Sequence, residues 1–127
     1  MCPNKKTHKD ILGMAGEQAA ADHLKSLGYK IVHRNWRSHP YEIDIVAIDN
    51  DELVIVEVKT RATDEFGDPQ DFVSRKKQSQ LVKATQLYAQ KNDILMEIRF
   101  DVVAVIINNS GTKLEHIQNA FIPLLGM

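Results

Sequence analysis

A chain of 127 residues has room for one domain with a core of its own and too little for two ordinary ones. Its 43% hydrophobic and 26% charged residues are the balance of a soluble globular protein, and no apolar run approaches the ~20 residues that span a bilayer, so no membrane role is expected. A net charge of −1 excludes a protein that coats nucleic acid by bulk electrostatics, and the single cysteine, Cys2, excludes an internal disulfide or a cysteine-based zinc cluster. With no apolar leader in MCPNKKTHKD, a reducing cytoplasm is the expected location.

Residues 1–9 read as a disordered polar arm ahead of a domain over 10–119. From Ile11 to Leu27 the pattern is helical, with Asp10 as N-cap, Ala20, Leu24 and Leu27 on one stripe, and Gly28 as the stop. Tyr29–Arg34 alternates as a strand, and Asn35–Pro40 reads as a loop. Two strands follow, over 41–48 and 53–60. Gly67 and Pro69 mark Arg61–Phe72 as a loop. Ser74 caps a second helix to Gln90, with Leu81, Ala84 and Tyr88 at helical spacing. Glu97–Ile107 is a long strand, Asn108-Asn109-Ser110-Gly111 a turn, and Lys113–Gln118 a short strand. The apolar tail, 120–127, is expected to dock on the body. The order α-β-β-β-α-β-β predicts a single-domain α/β fold with a central mixed β-sheet flanked by helices.

The hairpin carries the chemistry. A loop of two residues, Asn50-Asp51, or of four pairs positions whose numbers sum to 101. Asp44 then faces Glu57, with Cβ atoms ~5 Å apart, and Glu42 faces Lys59. One face carries Glu42, Asp44, Val46, Ile48, Leu53, Ile55, Glu57 and Lys59; the other carries Ile43, Ile45, Ala47, Val54, Val56 and Val58. Both faces are apolar toward the tip, as in a sheet covered on both sides.

Two facing carboxylates repel. A proton on one of them, neutralisation by Lys59, or a divalent cation between them would offset that. The cation reading takes Mg²⁺ or Mn²⁺, held by Asp44, Glu57 and the Val58 carbonyl. Glu17 lies on or beside the apolar stripe of the first helix. It either approaches this cluster or reaches water at the stripe edge.

Asp44 followed by Glu57-Val58-Lys59 resembles the PD-(D/E)XK nuclease superfamily. Gly16-Glu17, Gly28-Tyr29, Asn35-Trp36-Arg37, Glu42-Ile43-Asp44, Val56 to Arg61, Phe66-Gly67, Lys77-Gln78 and Arg99-Phe100-Asp101-Val102 resemble the YraN-like family. These are small bacterial proteins considered relatives of Holliday-junction resolvases. The resemblance implies a restriction-endonuclease-like core and a site at Glu17, Asp44, Glu57 and Lys59. It also implies a metal-dependent endonuclease acting on DNA, with branched or repair DNA as the substrate class. Cutting a two-fold junction symmetrically would favour a homodimer. Tyr41 departs from the family pattern, which has glycine before Glu-Ile-Asp, so the local backbone or the approach of substrate is expected to differ.

Carboxylates around Lys59 favour its ammonium form, which assigns it to electrostatic stabilisation and water positioning rather than to base catalysis. Arg61, Arg75, Lys76 and Lys77 are candidate phosphate contacts, Lys77 first among them. Trp36 reads as core and Asp101 as a structural acid with a basic neighbour. His8, His23, His33, His39 and His116 show no paired ligand spacing. Two rival readings stay open: a nucleic-acid-binding module that has lost catalysis, and a protein-interaction domain whose acidic cluster is an ion network.

Overall fold

Thr7, rather than Asp10, caps the first helix. Thr7 Oγ1 accepts the Asp10 amide at 3.1 Å, and Asp10 Oδ2 accepts the Thr7 amide at 3.2 Å, a reciprocal capping box. Asp10 thus sits one turn into helix α1 (His8–Ser26). The helix takes up residues 8 and 9 of the expected arm. Gly28, at φ 91, ends it as expected. Ala20, Ala21 and Leu24 are buried. Leu27 is the C-cap residue, swings out of the stripe and is half exposed.

The computed structural model describes residues 7–63 and 73–122. The rest of the expected arm, most of the Arg61–Phe72 loop, the Phe66-Gly67 motif and the tail beyond Ile122 lie outside the described residues. Five strands follow α1 in one sheet: β1 (Lys30–Ser38), β2 (Tyr41–Asp49), β3 (Glu52–Arg61), β4 (Glu97–Asn108) and β5 (Gly111–Ile117). Helix α2 (Arg75–Lys91) lies between β3 and β4. The spatial order is β1-β2-β3-β4-β5. β3 and β4 run parallel and the other neighbours antiparallel, so the sheet is mixed as expected.

The two helices cover opposite faces of the sheet. Ala20, Ala21 and Leu24 of α1 pack on Ile45, Ala47, Val54, Val56, Val103 and Val105. Leu81, Ala84 and Tyr88 of α2 pack on Ile43, Val46, Leu53, Ile55, Phe100 and Val102. Each apolar stripe removes its side chains from water, the main favourable term in folding. Ser74 caps α2 by accepting the Lys77 amide at 3.1 Å. Ala120 donates its amide to the Phe100 carbonyl at 2.7 Å, and the Phe121 ring stacks on Phe100 at 4.7 Å, so the start of the tail docks on the sheet. Among the described residues, no helix is long and apolar enough to cross a membrane.

β1 is longer than its alternation suggests. It continues through the expected Asn35–Pro40 loop to Ser38, leaving a His39–Pro40 turn into β2. Tyr41 pairs with Ser38 and packs toward α2. Left-handed backbone falls at Asn35, φ 53, and not at Tyr41.

Candidate functional site

The β2–β3 hairpin turns through Asn50-Asp51, and Ile48 faces Leu53 and Val46 faces Ile55, the expected register. The pairing runs from Asp49–Glu52 to Ile45–Val56 and stops before Asp44 and Glu57. Beyond that point the strict alternation expected of β2 fails. Ile45 and Ala47 lie on the α1 side, Val46 on the α2 side, and Ile43 also on the α2 side. Ile43 and Ile45 are two residues apart, so a uniform strand would put them on one face. The break is centred on Asp44, which therefore does not simply share the face of Val46 and Ile48.

β1 breaks at the matching place. His33 bonds the Tyr88 hydroxyl at 2.7 Å and Trp36 packs edge-on to the Tyr88 ring, both toward α2. Between them Arg34 and Asn35, consecutive residues, both reach α1. The pairs Arg34–Ile45 and Trp36–Ile43 bracket Asn35 and Asp44. Side-chain alternation thus fails in both strands at this point, while the pairing register itself shifts farther back, between Ile31 and His33.

Where the β2 backbone has left the ladder, the Asp44 side chain takes its place. Asp44 Oδ2 accepts the Val58 amide at 2.9 Å. The Glu57 carboxyl stands within hydrogen-bonding reach of Asp44. Burial, then the Glu57 charge and hydrogen bond, push the Asp44 carboxyl up to about 8, against the pull of the Val58 amide. Glu17 adds a smaller upward push. The Glu57 side chain is only 6% exposed and meets Lys59 Nζ at 3.2 Å and Lys77 Nζ at 3.7 Å. Without a bound cation, then, a proton on Asp44 and two lysines on Glu57 relieve the repulsion together.

Glu17 joins the same cleft, which measures about 640 Å³. Its walls include Glu17, Asn35, Asp44, Val58 and Lys59, with Arg37 and Arg61 at the rim. Gly16 allows α1 to approach: a Cβ there would run into the Thr60 side chain. Glu17 Oε1 accepts Asn35 Nδ2 at 2.9 Å and Arg34 Nε at 3.4 Å. Arg61 turns Nη1 back onto the Thr60 carbonyl at 2.8 Å. Arg75 and Lys76 are exposed in the first turn of α2 and do not line the cleft.

Asp44, Glu57 and the Val58 carbonyl make an oxygen-only donor set. The Val58 carbonyl points to the β2 side because the two polar groups of one strand residue face the same neighbour. Among the described residues, no group of three or more His, Cys, Asp or Glu forms a metal cage. Two carboxylates suit Mg²⁺ or Mn²⁺, which keep water ligands and need no full protein cage. The residues present fit such an ion and do not fit zinc.

Sequence reasoning missed Asn35 and Arg34 as partners of Glu17, and Lys77 as a partner of Glu57. For Asn35 a signal existed, because asparagine tolerates left-handed backbone better than most residues. Asp101 is a structural acid, as expected. It is 1% exposed and holds Arg99 at 2.9 and 3.0 Å, His116 at 2.8 Å and the Asn119 amide at 3.0 Å. His23 and His116 meet at 3.3 Å, a pairing hidden by their distance along the chain.

The family model described as "Uncharacterised protein family UPF0102" matches residues 16–105. A UPF0102 protein of Christiangramia forsetii is 47% identical over 110 residues, 87% of this chain and 92% of that protein. UPF0102 protein BF0634 of Bacteroides fragilis is 46% identical over 116 residues, 91% of this chain and 96% of that protein. UPF0102 protein FP2501 of Flavobacterium psychrophilum is 46% identical over 114 residues, 90% and 95% of the two chains. The YraN-like resemblance is borne out, and the chain belongs to the UPF0102 family.

Proposed function

We propose that this protein is a metal-dependent DNA endonuclease that hydrolyses phosphodiester bonds, with branched or repair DNA as its substrate class. The observation that carries the reading is the sheltered Asp44–Glu57 carboxylate pair, with Lys59 beside it and with Asp44 and Lys59 lining an open cleft. A carboxyl perturbed as Asp44 is, in a cleft, is a candidate for chemistry. Asp44, Glu57 and the Val58 carbonyl hold the ion. A bound Mg²⁺ or Mn²⁺ supplies a water of lowered pKa and neutralises charge on the phosphoryl oxygens. Lys59 stabilises developing negative charge and positions water, and Glu17 would ligate the ion through water or hold the nucleophile.

Arg37 and Arg61 at the rim suit phosphate contacts that position DNA without reading sequence. Arg75, Lys76 and Lys77 occupy the first turn of α2, where the helix dipole disfavours cations. Lys77 is matched there to Glu57, and the exposed Arg75 and Lys76 suit a surface kept for an anion. A cytoplasmic homodimer accords with action on a two-fold junction.

A second reading is a binding module of the same fold without catalysis. It is favoured by Lys59 and Lys77, which already occupy Glu57. Incubation of linear and branched DNA with Mg²⁺ separates the two. The nuclease reading expects cleavage by the wild type that Glu57→Ala abolishes. DNA binding without cleavage, unchanged by Glu57→Ala, supports the module instead.

A further inference from the structure

We infer that Asn35 is the positioning residue that fixes Glu17 in the cleft beside the Asp44–Glu57 pair; this rests on the metal-site reading above. Asn35 lies within β1 yet has φ 53, whereas the other non-glycine residues with positive φ among the described residues, Asn50, Asp93 and Asn119, fall in turns outside the helices and strands. In regular strand geometry Arg34 and Asn35 would point to opposite faces. Left-handed backbone at Asn35 puts both on the α1 side, where both reach Oε1 of Glu17.

The division of that carboxylate is informative. Oε1 takes both donors, and Oε2 has no protein partner among the described residues. One oxygen anchors the side chain, and Glu17 lines the cleft. The nearer donor, at 2.9 Å, is the neutral amide of Asn35; Arg34 stands farther off, at 3.4 Å, and also serves Gln18. Asn35 fixes the carboxylate without adding charge, while the Arg34 guanidinium pairs with the same oxygen at the longer distance. Asn35 thus combines two demands, a backbone that few residues tolerate and a short amide side chain that reaches across to α1.

Glycine accepts φ 53 without strain and removes only the amide. Mn²⁺ titration by calorimetry of the full chain, as wild type, Asn35→Gly, Glu17→Gln and the double variant, isolates the coupling. Partners that orient ligating groups are worth about 10-fold or more in metal affinity. Asn35→Gly is expected to weaken Mn²⁺ binding by about that factor and to add no loss in the Glu17→Gln background. Equal affinity in wild type and Asn35→Gly, or the same loss in both backgrounds, would overturn the inference. A wild type that binds no Mn²⁺ would overturn the nuclease reading instead. The Asn35 Nδ2 resonance of the metal-free protein then decides the positioning contact by itself: a shift in Glu17→Gln supports it, and an unmoved signal overturns it.

Discussion

The Asp44 carboxylate hydrogen-bonds the Val58 amide at 2.9 Å, although the backbone ladder of their two strands has already ended at Ile45–Val56. A side chain replaces a main-chain acceptor, so the amide is satisfied while β2 is free to bend. The same bond holds Asp44 beside Glu57, with the Val58 carbonyl on the β2 side as well. The end of the β2–β3 ladder and the assembly of the site are therefore one event.

That arrangement has a cost that depends on pH. The folded Asp44 carboxyl is raised from 3.8 to about 8, so the folded state holds its proton more tightly than the unfolded chain. Its stabilising contribution is complete below the ordinary value and is lost as pH rises through the raised one. Asp44→Asn keeps an acceptor for Val58 and cannot ionise. The variant is expected to gain on wild type as pH rises from 5 to 9, by about 1–3 kcal/mol at the alkaline end, a discounted figure because Glu57 shares the proton. Thermal melts across that range check it; a constant difference would contradict it.

Glu57→Gln removes the nearest negative charge and should let the Asp44 carboxyl titrate lower, observable by carboxyl-carbon NMR. It also strips Lys59 and Lys77 of their shared, buried partner. Both lysines are about a quarter exposed, so the loss of stability is expected near ~1 kcal/mol rather than the several reported for fully buried pairs. An unmoved Asp44 titration would show that burial alone perturbs it.

Gly16→Ala tests the seating of α1. The added methyl meets Thr60, and overpacking of this kind costs about 1–3 kcal/mol. The helix must lift from β3, carrying Glu17 with it. The expected result is a lower melting temperature that Thr60→Gly, supplied in the same chain, partly restores. No rescue would place the damage elsewhere.

Asp101→Ala separates stability from the site. Burial alone would raise this carboxyl, but hydrogen bonds from His116, Arg99 and the Asn119 amide outweigh it and hold it below its ordinary value. Its stabilisation is therefore present above that value and lost as pH falls through the lowered one. Removing it leaves the partly buried Arg99 with Asp49 and Glu52 as its remaining ion-pair partners among the described residues and is expected to cost about 3 kcal/mol, the low end for a broken buried pair. Chemical denaturation measures the loss, while DNA binding by the folded fraction stays as in wild type.

Much of this was legible because it followed from period and turn length. Alternation and a two-residue loop gave the hairpin register, and apolar residues on both faces gave a sheet covered by two helices. The paired loss of alternation at Asn35 and Asp44 was not legible, since it breaks the very signal that was read. Lys77 reaches Glu57, and His23 reaches His116, only through packing between distant elements. Thr7 and Asp10 are both good capping residues, and the reciprocal bond between them decided the helix start.

Mn²⁺ titration by calorimetry, wild type beside Asp44→Asn, each with and without a short DNA duplex, tests the metal-centre claim most directly. A metal ligand must be deprotonated, so affinity in the wild type should rise with pH toward and beyond about 8. The account predicts binding in the wild type that disappears in Asp44→Asn. Absence of binding in the wild type, even with DNA phosphates present, or binding that survives in Asp44→Asn, would contradict it.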